Sequence, residues 1–91
     1  MDKIALLSLS NDLKRICLSI QRGSFDAAEE FNKEARRWLL ESLKTKNTNI
    51  SELLKKVDRS LKKKNDLVKA EDCLMYSVLL QNRAMVLKSS R

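Results

Sequence analysis

The chain has 91 residues, with 19 lysines and arginines against 12 acids, a formal net charge of +7 and no histidine. That length allows one domain, spanning residues 1–91, with a core that is marginal unless well packed or shared with a partner. The missing histidine excludes Ser-His-Asp and Cys-His nucleophile arrangements, HExxH zinc sites and Glu-x-x-His di-iron centres. A single glycine excludes phosphate loops and dinucleotide fingerprints, which need several. With no proline either, helices have few places to break and the turn signals of a sheet are absent. An all-α chain is expected.

The first helix is predicted over Lys3 to Arg22. Leu6, Leu9, Leu13, Ile16, Cys17 and Ile20 recur at helical spacing and give an apolar face, with Asp12, Lys14 and Arg15 read as lying outside it. Ile4 and Leu7 widen the apolar surface at the start of this helix, so that end is expected to be buried more fully or to meet another subunit. The run Ile4 to Leu9 is too short for a leader peptide and lacks a basic lead-in, so no targeting signal is expected.

Gly23 is the corner. A glycine takes the left-handed conformation that ends a helix without a Cβ clash, and Arg22 before it suits the negative end of the dipole. Ser24 is expected to cap the next helix, with Asp26, Glu29 and Glu30 where the dipole favours carboxylates. Phe25, Ala27, Ala28, Phe31, Ala35, Trp38, Leu39 and Leu43 then form one stripe, and the small residues among them allow close approach of the first helix. This second helix is predicted to run to about Lys46, before the polar break Asn47-Thr48-Asn49.

Asn49 and Glu52 have the spacing of a capping box. The third helix carries Ile50, Leu53, Leu54, Val57 and Leu61 on one face. Beyond Leu61 two readings stay open. Lys62-Lys63-Lys64 followed by Asn65 or Asp66 reads as a helix stop and restart, giving an up-down bundle of four helices whose last helix runs from Asp66 to Leu87. Alternatively Ile50, Leu54, Val57, Leu61, Val68, Met75, Val78 and Met85 share one seam, with Lys64, Glu71 and Asn82 on it. That chain would have three helices, the third about 58 Å long, and would need a dimer partner.

Few constellations carry chemistry. Glu29, Glu30 and Glu34 interleave with Lys33, Arg36 and Arg37, the pattern of a solvated face laced with ion pairs, and no metal site is expected. Cys17 and Cys73 lie within apolar faces without CxxC spacing and read as packed, reduced thiols. Trp38 and Tyr76 read as core and rim aromatics. No stretch is apolar enough to span a bilayer. The one segment with functional colour is basic: Lys55, Lys56, Arg59, Lys62, Lys63 and Lys64, with Asp58 as its single acid. On a helix Lys55, Arg59, Lys62 and Lys63 cluster on a face opposite Ile50, Leu54, Val57 and Leu61, a ridge suited to phosphates or an anionic surface. Aromatic residues that would stack bases are missing from it.

The stretch Leu18…Gly23-Ser24-Phe25-Asp26-Ala27-Ala28…Ala35…Leu39…Leu43 resembles the opening helical hairpin of HEPN domains, and nearly as much that of flagellar export chaperones of the FliS type. Tetratricopeptide hairpins share the same small-residue corner. The resemblance covers under a third of the chain. HEPN ribonucleases carry an arginine followed by a histidine on a late helix; here Arg83 leads into Ala84-Met85-Val86-Leu87-Lys88. The resemblance therefore implies a partner-binding role without nuclease activity.

The expected function is a noncatalytic protein-interaction module, an adaptor or chaperone-like subunit in the cytoplasm that uses no cofactor. Its partner is expected to be a protein or a second copy of the chain, as a homodimer. Val68, Met75, Val78, Leu79 and Met85 on the last helix are the candidate contact surface, because its apolar coverage exceeds what one stripe needs. The alternative is a nucleic-acid-binding accessory protein using the Lys55–Lys64 ridge.

Overall fold

Helix α1 (Lys3–Gln21) stops where Gly23 turns left-handed, at φ +74°. The turn closes with two backbone bonds: the Gly23 N–H donates to the Ile20 carbonyl at 3.0 Å and the Ser24 N–H to the Ser19 carbonyl at 2.8 Å. Those are the paired bonds of a Schellman ending, which satisfy carbonyls that α1 would otherwise leave orphaned. Ser24 occupies the cap position of α2 (Phe25–Ser42), and its carbonyl accepts from the Ala28 N–H. Its side chain makes no capping hydrogen bond, contrary to the expectation from its residue type.

The computed structural model describes residues 3–44 and 48–89, and the fold is an all-α bundle of four helices. Helices α3 (Thr48–Leu61) and α4 (Asp66–Ser89) complete it. Each helix packs on its neighbours in chain order, and α4 returns to pack along α1, giving an up-down bundle of 41 × 19 × 18 Å. Helix α2 ends at Ser42, short of Lys46, as Leu43 bonds back to Leu39 and Lys44 to Glu41 in a tightened last turn. Helix α3 begins one residue before Asn49; the Asn49 side chain of the expected capping box lies outside the described residues.

The break between α3 and α4 excludes the long continuous helix. After Leu61 the Lys62 and Lys63 N–H groups bond to the carbonyls of Arg59 and Ser60, three residues back. Asn65 then caps α4: its Oδ1 accepts from the Val68 N–H at 3.1 Å and its carbonyl from the Lys69 N–H at 2.9 Å. The turn is tied down on α4 by Asp72, whose Oδ2 accepts from Lys63 Nζ at 2.6 Å and from Ser60 Oγ at 3.2 Å.

The core runs along α1. Ala5, Leu6, Leu9, Leu13, Ile16 and Cys17 are buried, facing Ala28, Ala35 and Leu39 of α2, Ile50, Leu54, Val57 and Leu61 of α3, and Ala70, Cys73, Leu80 and Ala84 of α4. Phe31, Trp38, Leu43, Leu53 and Tyr76 pack at its margin. Phe25, read as part of the α2 stripe, is instead exposed. So is Ile4, while Leu7 is half-buried. Among the described residues no helix is long and apolar enough to cross a membrane.

A Cβ built on Gly23 would meet nothing within 4 Å, so the demand for glycine there is purely conformational. Gly23→Val is expected to destabilise the fold by more than about 1 kcal/mol, because a β-branched residue resists positive φ. Urea or thermal unfolding measures it, and a change within error would mean that the turn tolerates another backbone path.

Candidate functional site

Helix α4 has two faces of different character. Ala70, Cys73, Ser77, Leu80 and Ala84 point inward and are buried. Four of these five are small, which lets α1 lie close: Ser10 Oγ donates to the Ser77 carbonyl at 2.6 Å across the interface. Leu80 is the one large apolar residue on this core face. Most of the large apolar residues turn outward. Exposure runs from 37% at Val68 to 72% at Leu67, with Leu74, Met75, Val78, Leu79 and Met85 between. The expected contact residues Val68, Met75, Val78, Leu79 and Met85 are thus all brought to the outer side of one helix. The stripe continues at the Gly23 end into a mainly apolar cleft lined by Cys17, Ile20, Phe25, Leu67, Ala70 and Leu74 together with Gln21, Asp66 and Glu71. Contiguous apolar surface of this kind on a small domain marks a contact site.

The basic segment is divided. Lys55, Lys56 and Arg59 are exposed on α3 and have no ion pair among the described residues. Helix α3 ends at Leu61, so Lys62, Lys63 and Lys64 follow it in the turn toward α4. Lys62 pairs with Asp58 at 3.1 Å, and Lys63 is drawn onto Asp72. Of the six cations, Lys63 therefore ties the turn after α3 to α4. Arg83 borders a groove between those helices with Glu52, Leu53, Lys56 and Leu79.

Other reactive groups are held quiet by burial. Desolvation pushes the Cys73 thiol up to about 12 and raises that of Cys17, so neither is a thiolate nucleophile near neutral pH. Both cysteines are free. Glu29, Glu30 and Glu34 are exposed, and Lys33 bridges to Glu30 at 3.4 Å. Among the described residues no three His, Cys, Asp or Glu side chains come together as a metal site.

Asp12 was read as lying outside the apolar face of α1, yet its side chain is only 2% exposed. The stripes of α1 and α2 meet around it, and position 12 falls between Leu9 and Ile16 on the face turned to α2. One oxygen accepts from Arg15 Nη1 at 3.3 Å, while Oδ2 has no hydrogen-bond partner among the described residues. Arg15 also lies over the Phe31 ring, 5.6 Å from its centroid, so the guanidinium bridges the hairpin. Burial, reinforced by the charge of Glu34 and opposed by Arg15 and Arg37, pushes the Asp12 pKa up to about 6. Asn32 and Ser42 on the buried side of α2 likewise each hold an oxygen without a partner among the described residues.

No family model matches the chain, and neither does any curated protein or solved structure. The functional reading consequently rests on the surfaces just described.

Because the folded pKa of Asp12 lies above its unfolded value of 3.8, the folded state holds this proton more tightly. Its contribution to stability is then most favourable below about pH 4 and declines as pH rises through about 6, by up to about 3 kcal/mol. Asp12→Asn is expected to be more stable than wild type at pH 7, with the difference closing toward pH 4. Chemical unfolding at both pH values measures it; a pH-independent difference would mean that the carboxylate stays ionised in the fold.

Proposed function

We propose that this chain is a noncatalytic protein-interaction module of the cytoplasm, an adaptor or chaperone-like subunit, and that its contact surface is the outer face of α4. The observation carrying this reading is the reversal on that helix: apart from Leu80, small residues lie inside and large apolar ones outside. A helix apolar on both sides is ordinarily buried on both. The core already satisfies one side, so the other is matched to a partner. The resemblance of the Gly23 hairpin to partner-binding HEPN domains and to export chaperones is consistent with this role.

A second reading is nucleic-acid binding through Lys55, Lys56 and Arg59, favoured by their exposure and lack of ion pairs among the described residues. Three cations would neutralise few phosphates, which ranks it second.

Met75→Asp with Val78→Asp tests the first reading. Both side chains are exposed, so thermal unfolding should move by only a few degrees. The tagged chain drawn from its own cells should migrate as a larger species, and the double variant as a monomer. Equal, monomeric behaviour of both would exclude the α4 surface. For the second reading, counterion release gives a log–log salt slope of about −0.9 for each duplex phosphate neutralised. The expectation is no submicromolar binding of mixed nucleic acids at about 0.15 M salt. Binding lost on changing Lys55, Lys56 and Arg59 to Ala would reverse the ranking.

A further inference from the structure

The outer stripe of α4 has internal order. Val68, Glu71, Met75, Val78, Asn82 and Met85 follow one another at alternating spacings of three and four, which keeps them on one line of the helix. The line is about 26 Å long between Val68 and Met85. Its two polar positions, Glu71 and Asn82, stand at equal distances from a midpoint between Met75 and Val78. The charges on α4 are also segregated. Residues 66–77 hold Asp66 and Glu71 against Lys69, besides Asp72, which Lys63 already neutralises, whereas residues 78–89 hold Arg83 and Lys88 and no acid. Arg83 is exposed, next to Asn82, and has no ion pair among the described residues.

We propose that the occupant of this face is a second copy of the chain, with the two α4 helices antiparallel about a twofold axis at that midpoint. The proposal rests on the reading of α4 as the contact surface and names its partner. A twofold at the midpoint sets Met75 against the partner's Val78, Val68 against the partner's Met85, and Glu71 against the partner's Asn82. Every position then meets a compatible one, and each contact occurs twice, as an isologous interface requires. The acidic half of each helix lies along the basic half of the other, and the helix dipoles oppose. Glu71 gains an amide donor, with the partner's Arg83 one residue further on. Same-direction pairing would instead bring Glu71 against the partner's Glu71 and acidic half against acidic half, an arrangement disfavoured by repulsion.

Sedimentation equilibrium on the full chain tests both the pairing and its direction. Wild type should dimerise with a Kd of about micromolar order. Asn82→Lys places a cation opposite Glu71 twice per dimer and should tighten the dimer about tenfold at low salt, an effect that shrinks as salt is added. Glu71→Lys should loosen it by a similar factor, and adding Asn82→Glu to Glu71→Lys should restore it. If Asn82→Lys loosens the dimer, the helices run in the same direction and the proposal is overturned. If wild type remains a monomer at about 100 µM, self-pairing is wrong. Loss of a different partner in Met75→Asp with Val78→Asp would then show that the α4 surface survives without it. All four positions are exposed, and circular dichroism of each variant confirms that the fold is retained.

Discussion

The close approach of α1 and α4 is the constraint from which the rest of the structure follows. It requires small side chains where the helices meet, and Ala70, Cys73, Ser77 and Ala84 supply them, with Ser10 opposite. A helix whose inner stripe is made of small residues contributes little volume to the core, so α1 must contribute most of it. That is why Leu6, Leu9, Leu13 and Ile16 are all fully enclosed. It is also why most of the large apolar residues of α4 stand outside: the inner line has room for Leu80 alone among them. The same geometry that seats α4 on the bundle thus creates the apolar face that distinguishes it.

What could be read in advance follows from how local each feature is. The Gly23 turn was legible because one residue type suits a positive φ, and the residues on both sides agreed with a stop and a start. The core face of α3 was legible because Ile50, Leu54, Val57 and Leu61 are large and strictly periodic. The break at residues 62–65 was only one of two readings, since nothing in Lys62-Lys63-Lys64 forbids a helix. The fold decides it through long-range partners, above all Asp72, which sequence spacing does not reveal as the target of Lys63 and Ser60.

Asp12 departs from its sequence expectation because polarity is a poor proxy for burial: its side chain is enclosed although its residue type favours solvent. On α1 and on the inner line of α4 helix geometry prevails over residue type. Position 12 continues the line Ala5, Leu9, Ile16 whatever side chain it carries, and Ala70, Cys73, Ser77 and Ala84 form the inner line of α4 although their hydropathy is modest. The signal that would have found them is the spacing of small residues, which marks close helix contact more directly than the spacing of large ones. In the basic segment, sequence proximity likewise does not show that Lys63 turns to Asp72 of α4 while Lys55, Lys56 and Arg59 stay on α3.

The chain carries two features that lower the stability of an isolated monomer. A carboxylate enclosed in the hairpin with one oxygen unsatisfied is a desolvation cost at neutral pH. An outer stripe of large apolar residues is surface that water covers unfavourably. A domain of this size buries a smaller fraction of its surface than a larger one and has little stability in reserve. Association offsets such deficits through mass action, since a partner that binds only the folded chain adds stability in proportion to the logarithm of its concentration over Kd. The two features also act at different places. Asp12 lies between α1 and α2, and the apolar stripe lies on the far side of α4, so covering the stripe leaves the carboxylate where it is. Partner binding would therefore raise the stability of the whole bundle while preserving its dependence on pH, and the two effects can be separated by measurement on one protein.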